Sequence, residues 1–97
     1  MIGSGFGTFP FNRRSILANA PSESGVYAVL NPQKWIYIGQ TGNIQARLLE
    51  HFSGDNRCIS LAQPTEFQFE RCPAQQRFAR QDALILLLEP YCNRRLR

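Results

Sequence analysis

The pattern of apolar and polar residues predicts a β-hairpin in the first half of the chain. Residues 25–30 and 34–38 are two short runs rich in β-branched and aromatic side chains, a composition typical of strands. The intervening residues 31–33, Asn-Pro-Gln, have the character of a short turn. We therefore expect two antiparallel strands joined by a tight connection.

The register of this hairpin would bring two tyrosines together. If residues 31–33 form the turn, Leu30 faces Lys34, and Tyr27 then lies directly opposite Tyr37 on one face of the sheet. Tyrosines are also ordinary strand residues, so the pairing alone does not define a site. The other face, expected to be the core side, would carry Val26, Ala28, Leu30, Ile36 and Ile38.

The residues after the hairpin predict a helix. Either Thr41 or Asn43 can cap it, and its first residues would lie near Ile44. Arg47 and His51, one turn apart, fall at the rim of its apolar arc, either as a solvated edge or close to the sheet. At about 100° per residue, that arc consists of Ile44, Leu48, Leu49 and Phe52.

The remaining segments complete a small α/β domain. We expect the glycine-rich residues 1–10 to form a flexible tail and residues 11–97 to form one domain. Asn12 or Ser15 can cap a short helical turn. Residues 66–70 alternate polar and aromatic side chains, which indicates a half-buried third strand. The predicted fold is a small three-stranded, mainly antiparallel sheet flanked by helices.

The last helix is predicted to start at Pro73, run through Leu88 and stop near Pro90. Its buried stripe, with the spacing i, i+3, i+4 and i+7, consists of Gln81, Leu84, Ile85 and Leu88. Gln81 thus shares the stripe with three aliphatic residues. A polar side chain in such a position requires a hydrogen-bonding partner.

The charge of the chain fits a polyanionic partner. The net charge is +4, and every cationic residue except Lys34 is an arginine, whose guanidinium matches phosphate geometry. Arg94, Arg95 and Arg97 form a basic tail that would either contact a nucleic-acid backbone or remain a solvated terminus. No apolar run is long enough to span a membrane, and a signal-peptide pattern is missing, so we expect a cytoplasmic protein.

The cysteines suggest neither a disulfide framework nor a zinc site. Cys58, Cys72 and Cys92 are odd in number and have no CxxC spacing. We expect reduced thiols.

The two strand motifs carry a family resemblance. Residues 25–27 (Gly-Val-Tyr) and 37–39 (Tyr-Ile-Gly), followed by Arg47 and His51, resemble the GIY-YIG nuclease domain of homing endonucleases, some restriction enzymes and the N-terminal part of the excision-repair nuclease. The resemblance extends from about residue 25 to residue 93. Its later part consists of Leu84, Ile85, Pro90 and Asn93 in the order of the family pattern.

The resemblance implies a metal-dependent endonuclease that hydrolyses DNA phosphodiester bonds. One tyrosine, Tyr27 or Tyr37, would help deprotonate the attacking water, and Arg47 would stabilise charge on the phosphate. His51 would orient a tyrosine or water, or assist proton transfer. The resemblance also implies supporting positions in the active site, which here are Gly39 and Asn93. A cap or turn after the last helix is an equal alternative for Asn93.

The expected metal ligand is replaced in this chain. In the family a glutamate that binds a divalent cation, Mg²⁺ or Mn²⁺, stands where the alignment places Gln81. Asp82 is adjacent, but it is rotated by about 100° off the stripe. A neutral amide is a weak ligand for a hard cation, so metal binding and cleavage should both fall. Gln81 is then either the native residue of a weak nuclease or an introduced substitution.

These features leave alternative functions and partners open. A catalytically silent nucleic-acid-binding module of the same fold is the main alternative to a nuclease. The expected partner is DNA, duplex or branched. The chain has no recognisable recognition domain from which the DNA sequence that it binds could be predicted. A protein partner or a second copy of the chain could supply specificity. A weaker alternative is a protein-interaction domain that uses Trp35 and the exposed face of residues 67–70.

Overall fold

The computed structural model describes residues 2–3 and 7–93. In chain order its strands and α-helices are β1 (Phe9–Pro10), α1 (Arg13–Asn19), β2 (Gly25–Asn31), β3 (Lys34–Thr41), α2 (Ile44–Phe52), α3 (Arg57–Leu61), β4 (Glu66–Arg71) and α4 (Arg77–Leu88). Two short 3₁₀ turns, Ala74–Gln76 and Tyr91–Asn93, flank α4. Within the described residues the strands form one antiparallel sheet in the order β1-β4-β2-β3. The predicted α/β class with helices flanking an antiparallel sheet is confirmed, but the sheet has four strands, not three.

The N-terminal segment supplies the additional strand. Phe9 and Pro10 pair with β4, and the Phe9 ring lies 5.4 Å from the ring of Phe67. Ile2 is buried, and its backbone N–H donates to Glu70 at 3.3 Å. The prediction of a tail over residues 1–10 is therefore wrong for these positions, because apolar side chains within it pack on the sheet. Met1 and residues 4–6 lie outside the described residues.

The hairpin register differs from the predicted one. Asn31 pairs with Lys34 as the last residue of β2, so only two residues form the turn. The Asn31 side chain stabilises it by accepting hydrogen bonds from the backbone N–H groups of residues 33 and 34, at 2.9 and 3.0 Å. A bulge then places Ile36 as an extra residue between the pairs formed with Leu30 and Val29.

The bulge moves the partner of each tyrosine. Tyr37 lies opposite Val29, and Tyr27 lies opposite Gly39, so the predicted direct pairing of the two tyrosines is wrong. Both rings remain on one face because the shifted register preserves the alternation of side chains. The absence of a side chain at Gly39 makes room for the phenol of Tyr27, whose hydroxyl and ring a Cβ at that position would overlap.

Both faces of the sheet are buried, whereas the hairpin pattern predicted one core side. On the first face, α1, α2 and α3 pack over β2 and β4 in a cluster that includes Ile16, Ile44, Leu48, Ile59 and Phe67. On the opposite face, α4 covers the sheet through Leu84, which packs with Val26, Ala28 and Ile38. Ile36 joins the first cluster, not the second as predicted, since the bulge changes the side on which it lies.

The helix caps follow the sequence closely. Asn12 caps α1 and Asn43 caps α2, each accepting a hydrogen bond from the backbone N–H three residues later. The last helix begins at Arg77, later than predicted, since a 3₁₀ turn occupies residues 74–76. It ends at Leu88, and the next residue, Glu89, adopts a left-handed conformation. None of the helices in the described part of the chain is long and apolar enough to cross a membrane.

The cysteine prediction is wrong for two of the three residues. Cys58 in α3 and Cys92 in the last 3₁₀ turn form a disulfide, with their Cα atoms 5.8 Å apart, while Cys72 is free. The bond joins segments separated by 34 residues, so only the tertiary fold brings the two thiols together. Disulfides are rare in cytoplasmic proteins, and this bond therefore does not favour the cytoplasmic location expected from sequence.

The surface predicted for a protein-interaction domain is partly buried in the structure. Phe67 and Gln68 are buried, and Trp35 packs against the cluster beneath α4. Residues 67 and 68 are therefore interior and residues 69 and 70 are half-buried, so this segment is not the exposed docking surface that was predicted.

Replacing Cys58 by serine should destabilise the domain. For the loop that this disulfide closes, the chain-entropy relation gives a loss of about 3 to 4 kcal/mol in the free energy of unfolding. Urea denaturation under non-reducing conditions measures the loss. Cys72→Ser is the matched control and should unfold like the original chain; equal losses in both variants would contradict the structural role of the Cys58–Cys92 bond.

Replacing Gly39 by alanine should displace the Tyr27 phenol. Overpacking of this kind costs roughly 1 to 3 kcal/mol, which denaturant titration can resolve. Gly42→Ala is the control, because the nearest atom to its added Cβ is a guanidinium nitrogen of Arg77 at 3.6 Å. The packing of Tyr27 on Gly39 would be disproved if the two variants unfolded with equal free energies.

Candidate active site

The site begins with a buried phenol. Tyr27 lies at the centre of the sheet with 1% of its surface exposed. Its hydroxyl forms a 2.7 Å hydrogen bond with Nε2 of His51. Burial of a hydroxyl is costly unless it is hydrogen-bonded, so this contact determines how helix α2 sits on the sheet.

Tyr37 lies on the same face but nearer to the surface. Its ring centroid is 6.2 Å from that of Tyr27 and 5.3 Å from that of His51. The Tyr37 hydroxyl makes no hydrogen bond with any described residue, and its side chain is half-buried. The two predicted tyrosines are therefore brought together, one enclosed and one accessible.

Helix α2 carries Arg47 and His51 on this face, and its first turn is hydrogen-bonded to the segment just before β2. The backbone N–H of Ile44 donates to the carbonyl of Glu23 at 2.9 Å. Gly25 permits the close approach, since a Cβ there would overlap the Glu70 carbonyl and come within 2.7 Å of Ile44 Cδ1. His51 is consequently buried, with 2% of its surface exposed, and is not the solvated edge that sequence left open.

Asp55 connects the histidine to the arginine. One carboxylate oxygen lies 2.9 Å from His51 Nδ1, and the other accepts a hydrogen bond from Arg47 Nη1 at 2.6 Å. The same nitrogen of Arg47 also donates to Glu50 at 2.7 Å. Asp55 was not among the predicted site residues, although its i, i+4 spacing from His51 was a signal that could have identified it.

Burial and these contacts shift the ionisation of the cluster. Burial, and then the neighbouring Tyr37, raise the pKa of Tyr27, so the phenol is protonated at neutral pH. Burial, and then the positive charge of Arg47, lower the pKa of His51, so the ring is neutral at pH 7. Burial works to raise the pKa of Asp55, but hydrogen bonds from Arg47 and His51 outweigh it and hold the pKa below its usual value. A neutral phenol and a neutral imidazole therefore lie beside an ion-paired carboxylate and guanidinium.

Arg47 keeps its charge in this setting. Burial works to lower its pKa, but the hydrogen bonds to Glu50 and Asp55 raise it overall. The guanidinium also lies close enough to the Tyr27 hydroxyl to lower the pKa of that phenol by hydrogen bonding. Arg47 thus interacts both with the Tyr27 phenol and with the carboxylates of Glu50 and Asp55.

Gln81 is not hydrogen-bonded to this cluster. Arg77, one turn earlier in α4, donates to Gln40 and Ser24, each at 3.0 Å, which fixes the start of the helix beside the end of β3. Gln81 itself is half-buried, and its amide donates only to Asp82, at 3.4 Å, among the described residues. The helix packs on the face of the sheet opposite Tyr27.

A divalent cation does not fit the side chains present. No group of three histidine, cysteine, aspartate or glutamate side chains suited to a metal occurs among the residues that the structure describes. Gln81 offers a neutral amide oxygen, and the neighbouring Asp82 is exposed. Hard divalent cations prefer anionic oxygen ligands, so we derive no catalytic step through a metal in this chain.

Asn93 supports the site from outside. Its side-chain amide accepts a hydrogen bond from the backbone N–H of Ile38 at 2.7 Å and donates to the Ile38 carbonyl at 2.9 Å. Ile38 stands between Tyr37 and Gly39, so the contact holds the part of β3 that carries the second motif. The three C-terminal arginines predicted to contact nucleic acid, Arg94, Arg95 and Arg97, lie outside the described residues.

Comparisons with known proteins identify the family of the domain. The family model of the GIY-YIG catalytic domain matches residues 23–87. Among solved structures, a point mutant of the GIY-YIG N-terminal endonuclease domain of UvrC from Thermotoga maritima, bound to its catalytic divalent cation, is 28% identical, with 86% of this chain and 94% of that chain covered and a TM-score of 0.72. The same domain bound to magnesium is 27% identical, with 84% and 94% covered and the same TM-score. No curated protein matches the chain.

These matches include both strand motifs, α2 and most of α4, which are the elements that form the site. The family model covers well over half of the sequence, and the solved relatives share the endonuclease fold over most of their length. The chain therefore belongs to the GIY-YIG catalytic-domain family of endonuclease-type proteins.

Proposed function

We propose that this domain acts on DNA as a phosphodiester endonuclease whose cleavage is weak in this chain because Gln81 replaces a metal-binding carboxylate. The observation that carries the proposal is the convergence of Tyr27, Tyr37, Arg47 and His51 on one face of the sheet. A general base, a cation and a proton-transfer group within one face suit the hydrolysis of a phosphate ester. The UvrC relatives, which are endonuclease domains, support the same class of reaction.

Tyr37 is the better candidate to contact the attacking water. Its hydroxyl lacks a partner among the described residues and its side chain reaches the surface, whereas the Tyr27 hydroxyl is enclosed and bonded to His51. A side chain that orients the attacking water must come within hydrogen-bonding distance of it. We therefore assign Tyr37 to the water and Tyr27 to the support of the cluster.

Arg47 would bind the phosphate through the side of its guanidinium that faces away from the carboxylates. Both ion pairs with Glu50 and Asp55 use Nη1. The planar guanidinium has further donors on Nε and Nη2. The ion pairs therefore orient the guanidinium and leave these donors for the phosphate. Charge that develops on phosphate oxygens would then meet a fixed cation.

A catalytically silent DNA-binding module is the second candidate function, and the contacts of Gln81 favour it. The amide provides no negative charge, and its hydrogen bond goes to Asp82. In that case Arg47 and the C-terminal arginines would bind the backbone without cleavage. Either function takes DNA as the partner, in duplex or branched form.

Gln81→Glu should convert weak or undetectable cleavage of plasmid DNA in Mg²⁺ or Mn²⁺ into clear nicking. A Lewis acid contributes several kcal/mol to the transition state, so we expect a gain of about 100-fold or more. Gln75→Glu is the matched control, because it adds the same charge at an exposed position just before α4. It should leave cleavage at the original level.

The two candidate functions separate in this assay. If Gln81→Glu cleaves no faster than Gln75→Glu, the endonuclease proposal fails and the silent module remains. Binding of duplex DNA that weakens steeply with salt would then support the silent module, because phosphate contacts release counterions. Absence of salt-dependent binding would reject both functions.

A further inference from the structure

The carboxylate of Asp55 fixes the direction of the hydrogen bonds in the buried cluster. One oxygen lies 2.9 Å from His51 Nδ1 and the other accepts from Arg47 at 2.6 Å. An ionised carboxylate only accepts hydrogen bonds. His51 Nδ1 must therefore carry the proton in this contact.

The far side of the imidazole then has only one possible role. A neutral histidine has one N–H donor and one acceptor nitrogen, so Nε2 must accept when Nδ1 donates. The group beside Nε2 is the hydroxyl of Tyr27 at 2.7 Å. Tyr27 must therefore donate its proton to His51, which leaves the lone pairs of the phenol oxygen to accept from a nearby donor such as the Arg47 guanidinium.

We propose that Asp55 is a positioning residue of the site: it holds His51 in the Nδ1–H tautomer, directs the Tyr27 proton to Nε2 and fixes Arg47 through its second oxygen. Its effect on DNA cleavage rests on the proposed function. The effect of Asp55 on the His51 tautomer does not rest on the proposed function, because it follows from the contacts between the described side chains.

The groups that face His51 are consistent with Asp55 as the residue that sets its tautomer. Tyr27 approaches from β2 and Tyr37 from β3, while Arg47 and Glu50 lie on the same helix and Asp55 follows it. Of these, Asp55 is the acidic group that hydrogen-bonds the ring, whereas the carboxylate of Glu50 is hydrogen-bonded to Arg47. Asp55 and Glu50 therefore form a natural pair of test positions, since both neutralise Arg47 and one of them touches His51.

Nitrogen NMR of the imidazole tests the proposal directly. His51 is the single histidine of the chain, so its two ring nitrogens can be identified without ambiguity by long-range ¹H–¹⁵N correlation. At pH 7.5 we expect Nδ1 to have the shift of a protonated nitrogen and Nε2 that of an unprotonated acceptor. The opposite assignment in the original chain would overturn the proposal without any variant being needed.

Asp55→Asn provides the second test and Glu50→Gln its control. An asparagine has one acceptor oxygen and one donor nitrogen. Because the charged Arg47 makes the shorter contact with Asp55, we expect the oxygen to stay with Arg47, so that the amide NH₂ faces Nδ1 of His51 and Nδ1 becomes an acceptor. We expect Asp55→Asn to lose the single Nδ1–H tautomer and to lower the pKa of His51 further, because the carboxylate that favoured the imidazolium is gone. Glu50→Gln should keep the original tautomer. An unchanged tautomer in folded Asp55→Asn, or its loss in both variants, would refute the role assigned to Asp55.

A kinetic comparison separates this proposal from the function on which it partly rests. In the Gln81→Glu background, Asp55→Asn should lower kcat by roughly 10- to 100-fold, as for other residues that orient a reacting group, and should change KM little. If Gln81→Glu does not cleave DNA, the proposed function fails while the NMR result still decides the role of Asp55. If Gln81→Glu cleaves DNA and the double variant that also carries Asp55→Asn cleaves it equally fast, Asp55 has no positioning role in catalysis.

Discussion

The buried hydroxyl of Tyr27 is the constraint on which the rest of the site depends. A phenol in the interior of a sheet must be hydrogen-bonded, and here the partner comes from helix α2. The ring also needs space above the neighbouring strand, which the missing side chain of Gly39 provides. One contact thus determines a residue type on β3, the identity of a helical side chain and the angle at which α2 lies on the sheet.

The site is divided between the two faces of the sheet. The proton-handling and cationic groups lie beneath α2, whereas the position of the expected metal ligand lies on α4 across the sheet. The two parts are linked through β3, whose end contacts the first turn of α4 by way of Arg77. Among the described residues, the Gln81 amide is hydrogen-bonded to Asp82 and not to the cluster beneath α2. The contacts of that cluster therefore do not depend on the side chain at position 81.

Sequence patterns predicted the elements better than their exact relations. The β-branched and aromatic composition of β2, the alternation of polar and aromatic residues in β4 and the caps at Asn12 and Asn43 depend on local chemistry, and the elements that they predict are present. The hairpin register was wrong because the bulge at Ile36 arises from packing on both faces, which a one-sided pattern does not reveal. The two-residue strand β1 was missed since its partner is far away in sequence.

The same distinction applies to the site. Motif spacing was sufficient to select Tyr27, Tyr37, Arg47 and His51, because the strands and helix that carry them are local elements. Asp55 was missed because a carboxylate in a loop between a glycine and an asparagine is indistinguishable from a turn residue until His51 is known to be buried. The Cys58–Cys92 bond joins segments that only the completed fold brings together.

Asn93 has a further effect on how the domain meets other chains. β3 is an outer strand, and outer strands expose backbone groups that can recruit a strand from another molecule. By occupying both the N–H and the carbonyl of Ile38, the Asn93 amide imitates one residue of an added strand and caps the edge there. A peptide that sought to extend the sheet along this side would first have to displace Asn93, so the residue that steadies the second motif also protects the domain against edge-to-edge aggregation.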